Sequence, residues 1–92
     1  MKVNFFATLR QIVGQKTIEI DLPENSSVQD FLQIIVTQYP AMHKELLDKN
    51  GNLYRHVHIF VNGRDAPFLE NGMATIIQPD DTLNVFPAVG GG

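Results

Sequence analysis

Few side chains in this sequence are of a kind that does chemistry, and the exclusions come first. Cysteine is absent, which removes thiol catalysis, disulfides, zinc–thiolate sites and iron–sulfur ligation. His56 and His58 stand two apart, a spacing that metal sites use on one strand face, with His43 as a third candidate. No cysteine or carboxylate cluster completes that set, so both histidines are read as exposed strand residues and no metal site is expected. Asp80 and Asp81 form a carboxylate pair, but Gln78-Pro79-Asp80-Asp81 has the composition of a turn. The main chain itself is left: Gly90-Gly91-Gly92 stands last in the sequence, behind Phe86-Pro87-Ala88-Val89.

A carboxylate on Gly92 is a poor electrophile at neutral pH and reacts as an acyl donor only after activation. Glycine suits such an end because a backbone without Cβ can take φ values closed to other residues and thread a narrow channel. From Pro87 to Gly92 an extended chain reaches roughly 20 Å, at about 3.3–3.6 Å per residue. Pro87, with no amide hydrogen, ends a strand ladder and stiffens the point of departure. A triple-glycine end taken alone is equally what a frayed terminus looks like, and its context decides the reading.

That context is a series of short elements. Val3, Phe5, Ala7 and Leu9 alternate with Lys2, Asn4, Phe6 and Thr8, the periodicity of a strand from Val3 to Leu9. Gly14 marks a turn, and Thr17 to Leu22 alternates again until Pro23, so the opening reads as a β-hairpin. Ser27 followed by Asp30 forms a helix start, and Val28, Phe31, Leu32 and Ile35 fall at i, i+3, i+4 and i+7, predicting an amphipathic helix from about Val28 to Gln38. Pro40 stops it, and Ala41 to Leu47 allows one short helical turn before the loop Asp48-Lys49-Asn50-Gly51-Asn52. Val57, Ile59 and Val61 alternate with His56, His58 and Phe60, and Asn62-Gly63 supplies a tight hairpin turn. An irregular stretch through Pro67, Phe68, Leu69 and Gly72 follows, with a minor strand at Thr75-Ile76-Ile77 and a last strand at Thr82 to Phe86. The order β-β-α-β-β-β predicts an α+β fold, a mixed sheet with one main helix packed on one face. Residues 1–86 form the domain and 87–92 the tail.

Composition fits that picture. With 92 residues, 43% of them hydrophobic and 18% charged, the chain has room for one core and none for a second lobe with its own cleft. The net charge is −3, and the seven basic residues are scattered singly, so nucleic acid is not an expected partner. No stretch of about 18 apolar residues occurs and Met1-Lys2-Val3-Asn4-Phe5 leads directly into a strand pattern. A cytoplasmic protein with no membrane partner is expected.

Met1-Lys2-Val3-x-Phe5-Phe6-Ala7-x-Leu9-Arg10, Ser27-Val28 before the helix, Val61-Asn62-Gly63 and Phe86-Pro87-Ala88-Val89-Gly90-Gly91-Gly92 together resemble the ubiquitin-like sulfur carriers, typified by the small subunit of molybdopterin synthase and the thiamine sulfur carrier. The resemblance spans essentially the whole chain, and it implies a β-grasp fold. It also implies that a ubiquitin-activating-like adenylyltransferase uses ATP and magnesium to adenylate Gly92, and that sulfur from a persulfide donor then displaces AMP to leave a thiocarboxylate. Such a carrier binds no cofactor of its own and contributes no acid, base or nucleophile. The catalytic residues would belong to the larger partner, with the large subunit of molybdopterin synthase and the dithiolene of molybdopterin the first choices. Thiamine and tRNA thiolation are alternative destinations for the sulfur. Archaeal protein modifiers of similar build end in the same way, so isopeptide conjugation through Gly92 stays open, as does a plain interaction domain.

The partner must grip something. If Val3, Phe5, Leu83, Val85, Val57 and Ile59 face the helix, parity places Phe6, Phe86 and Phe60 together on the opposite face of the sheet. Three rings on a solvent face mark an interface, unless one or more folds under the irregular Pro67–Gly72 segment. Phe6 and Phe86 match family positions that contact partner enzymes, Phe60 follows from parity alone, and Arg10 is a candidate to pair with a partner's acid.

Overall fold

In a computed structural model of the chain, residues 1–87 are described. The helix that organises the core, α2 (Val28–Gln38), begins where its capping residues dictate. Ser27 Oγ accepts from the amide of Asp30 at 3.0 Å, and Asp30 Oδ2 accepts from the amide of Ser27 at 2.9 Å, so two otherwise orphaned donors are satisfied reciprocally. Val28, Phe31, Leu32 and Ile35 are all fully buried on one face. A second helix, α3 (Ala41–Leu46), follows Pro40 and buries Met42 and Leu46.

These helices cover one side of a five-stranded mixed sheet. The strands are β1 (Lys2–Phe5), β2 (Thr17–Glu19), β3 (His58–Val61), β4 (Arg64–Asp65) and β5 (Leu83–Phe86), in the spatial order β2-β1-β5-β3-β4. Only β1 and β5 run parallel, with Val3 opposite Leu83 and Phe5 opposite Val85; the other pairs are antiparallel. Val3, Phe5, Ile59, Leu83 and Val85 are completely buried against the helices. The β3–β4 hairpin turns on Asn62 and Gly63, with φ of 53° and 84°, the left-handed pair that such a two-residue turn requires. Asp81, read above as a turn residue, accepts from the Gln78 amide at 2.7 Å and from Asn62 Nδ2 at 2.8 Å. The turn before β5 is thereby tied to the hairpin.

Three expectations are corrected. The first strand stops at Phe5, because Ala7 takes φ 53° and the chain turns into a helix, α1 (Thr8–Val13). Leu9 is fully buried, with Ile12 and Val13 packed against the core, a 3.6-residue period that alternation concealed. β1 and β2 are therefore antiparallel neighbours joined by a helix, not a simple hairpin, and β2 ends at Glu19 instead of Leu22. Thr75–Ile77 does not join the sheet: its Ile76 makes an isolated bridge to Ser27, with the Val28 amide donating to Thr75 at 3.0 Å and the Ile77 amide to Ser26 at 2.8 Å. That segment braces the start of α2. Among the described residues α1 thus joins the main helix and the short helical turn expected from Ala41 to Leu47, which α3 supplies.

Candidate functional site

Among the described residues one face of the sheet has no covering helix, and the register of β1, β3 and β5 determines what stands on it. The Phe6 amide donates to Val85 at 3.2 Å, carrying the ladder one residue past β1 and setting Phe6 beside Phe86. On the other side of Phe86 stands His58, its register partner in β3, while Phe60 is opposite Asn84. The Phe6 and Phe86 rings stack with centroids 4.2 Å apart and 8° between planes. Phe60 meets Phe86 edge-on at 5.4 Å, and the His58 ring stacks on Phe60 at 5.7 Å. The three expected phenylalanines are thus brought together in one row, half-buried against one another, in the offset and edge-on geometries aromatic pairs prefer.

Charge borders the row. The Lys16 ammonium is 5.5 Å from the Phe6 centroid, a cation–π distance, and the Lys16 carbonyl is held by the Phe5 amide at 2.7 Å. Arg10 is exposed on α1, not at a strand end. His58 Nδ1 stands 2.6 Å from Asp65 Oδ2. An ionised carboxylate only accepts, so Nδ1 is the donor of this pair. Asp65 Oδ1 is buried with no hydrogen-bond partner among the described residues, which leaves His58 as the anchor of that side chain. The remainder of the open face is polar: Thr17 Oγ1 donates to Asn4 Oδ1 at 2.6 Å, and Asn4 Nδ2 donates to Asn84 Oδ1 at 2.8 Å.

The histidines do not share a strand face. His56 falls in a turn before β3, whereas His58 is in the strand and engaged by Asp65. Among the described residues no three His, Asp or Glu side chains converge as metal ligands would. β5 ends at Phe86 and Pro87 is buried, so the chain leaves the sheet at the aromatic end of the open face. Gly90, Gly91 and Gly92 lie outside the described residues. Two features escaped sequence reasoning. The His58–Asp65 pair follows from the Asn62-Gly63 hairpin, which sets Asp65 opposite Phe60 and one diagonal step from His58. Phe68, 87% exposed, carried no periodic signal.

A five-stranded mixed sheet with helices packed on one face and a parallel β1–β5 pair at its centre defines a β-grasp, ubiquitin-like domain. The chain belongs to the ThiS family, whose model matches residues 3–92, a family of ubiquitin-like sulfur carriers and modifiers. It is 36% identical over 92 residues to the small archaeal modifier protein 3 of Haloferax volcanii, covering 100% of this chain and 98% of that protein. Sulfur carrier protein CysO of Mycobacterium tuberculosis is 33% identical over 81 residues, 86% of this chain and 83% of that one. Among solved structures, the putative molybdopterin converting factor subunit 1 of Pyrococcus furiosus superposes with a TM-score of 0.75 at 30% identity, covering 96% of this chain and 95% of that one. Among the described residues no helix is long and apolar enough to cross a membrane.

Proposed function

We propose that this chain is a sulfur carrier that works through the Gly92 carboxylate while its aromatic face docks the enzymes that act on it. The observation that carries the reading is the stacked Phe6–Phe86 pair, which stands where β5 hands over to residues 87–92. A domain gripped at that point delivers the following residues to a neighbouring active site. The carboxylate attacks the α-phosphorus of ATP, held with magnesium by a ubiquitin-activating-like adenylyltransferase, and pyrophosphate leaves. The terminal sulfur of a persulfide donor then attacks the acyl carbon and AMP departs. A thiol cleaves the sulfur–sulfur bond, yielding the thiocarboxylate and a disulfide. With no cysteine in the sequence, the acyl group carries the sulfur.

The acceptor in this reading is a molybdopterin precursor, converted by the large subunit of molybdopterin synthase with this chain as the small subunit. Likeness to the putative molybdopterin converting factor subunit 1 supports that choice. The 36% identity to a small archaeal modifier protein favours a second reading, in which a target lysine attacks the same adenylate and an isopeptide bond forms. Thiamine and tRNA thiolation would use the same thiocarboxylate.

Intact-mass spectrometry of the chain, incubated with its adenylating enzyme, ATP, magnesium and a persulfide donor, tests the proposal. The expected result is the mass gained when one oxygen of Gly92 is exchanged for sulfur. Di-glycine remnants on lysines of other proteins would select conjugation instead, and absence of both products would overturn both readings. Removal of Gly92 is expected to abolish the product with the melting temperature unchanged.

A further inference from the structure

The aromatic row does not stop at the edge of the sheet. His58, at its end, also lines a groove of about 600 Å³ shared with Tyr54, Arg55, Val57, Asp65 and Phe68, a size within the range of ligand pockets. Two of the three large apolar side chains exposed among the described residues are here, Phe68 at 87% and Tyr54 at 40%. Phe68 is not on a slack loop. It closes a 3-10 turn, Ala66–Phe68, that is pinned by the fully buried Ala66 and by the Leu69 amide donating to Ala66 at 3.0 Å. A large ring left in water forfeits the free energy of its burial. A ring held there by a rigid turn has already lost the backbone freedom that docking would otherwise remove.

The charges around this surface specify what it fits. Arg55, at the groove, and Lys16 and Arg10, beyond the other end of the aromatic row, have no ion-pair partner among the described residues. Asp65 is engaged by His58. The carboxylates Glu19, Asp21, Asp80 and Asp81 belong to the opposite strand ends, at the close of β2 and the approach to β5. A chain of net charge −3 therefore presents cations at both margins of its largest aromatic surface.

We propose that the groove seats an apolar side chain of a partner protein, with a carboxylate of that partner paired to Arg55, so that the domain is gripped at two points. One is the Phe6–Phe86–Phe60 row and the other is Phe68 with Tyr54. This rests on the docking reading above and extends it round the β4 edge. The partner surface is apolar in the middle and acidic at both flanks, an arrangement that steers association as well as holding it.

Calorimetric titration of the full-length chain into the adenylating enzyme of its own organism tests this. Phe68→Ser is expected to weaken binding by about tenfold or more without lowering the melting temperature, because the ring removed is already in water. Arg55→Glu is expected to weaken binding comparably and to flatten its dependence on salt. Wild-type affinity for both variants, alongside loss of binding for Phe86→Asp, overturns the groove and leaves the docking row standing. Wild-type affinity for Phe86→Asp as well overturns the docking reading too. Amide NMR spectra of the full chain and of a chain ending at Pro87 are expected to agree from Tyr54 to His58 and at Phe68. Shifts there on truncation would make the chain's own tail the occupant, and a dimer dissolved by Phe68→Ser would make it a second copy; either result overturns the proposal.

Discussion

Phe5 and Phe6 are consecutive, identical in type and opposite in office. Phe5 is fully buried under the helices, while Phe6 lies half-buried on the open face, stacked on Phe86. The same division runs down β5, where Val85 goes inward and Phe86 outward, and down β3, where Ile59 goes inward and His58 and Phe60 outward. One backbone thus supports two apolar surfaces, and among the described residues only one of them has its complement. The inner face is completed by α2. The outer face divides again, into an aromatic half at the tail end and the Thr17–Asn4–Asn84 amide ladder at the other. An amide ladder that satisfies its own hydrogen bonds asks nothing of a partner, whereas stacked rings left half in water gain by being covered.

The contrast can be broken by substitution, starting with the largest effect. Phe5→Ala is expected to cost about 3–5 kcal/mol of stability, read by denaturant unfolding, because the cavity it leaves is sealed beneath the helices. Phe86→Asp is expected to cost about 2–4 kcal/mol of binding to the adenylating enzyme while the domain stays folded, as calorimetry paired with thermal melting would show. Phe6→Ala should lower stability by only about 1–2 kcal/mol, chiefly the stack with Phe86; a loss as large as that from Phe5→Ala would make the open row a second core and not an interface. Asn84→Ala, which breaks the ladder, should cost about 1 kcal/mol of stability and leave partner affinity within twofold. A larger loss of affinity would extend the docking surface over the whole face.

Much of this was legible in the residues because local signals and long-range placement agreed. The Ser27 and Asp30 cap together with the spacing from Val28 to Ile35 located α2, and parity placed Phe6, Phe60 and Phe86 on one face. Asn62-Gly63 announced its own turn. Sequence alternation failed at Ala7, where a left-handed backbone conformation breaks the strand and Leu9 reaches the core from a helix instead. Between Ala66 and Ala74, read as irregular, two 3-10 turns have no period long enough to read. The groove lined by Phe68 and Tyr54 was invisible for a related reason: its residues meet only once β3, β4 and the following turn are in place. The chemistry proposed for Gly92 draws on the main chain and not on a side chain, and Gly90, Gly91 and Gly92 lie outside the described residues.

The parallel pairing of β1 with β5, the bond from Asn4 to Asn84 spanning 80 residues, has a bearing on how the protein is made. The first strand synthesised must wait for the last, and closing so long a loop delays assembly of the sheet. Until β5 arrives there is no central strand, no Phe86 between Phe6 and Phe60, and no aromatic row. A half-made chain lacks the row altogether. Completeness of synthesis is registered in the geometry of the sheet itself, because the rings meet only when the last strand has joined the first.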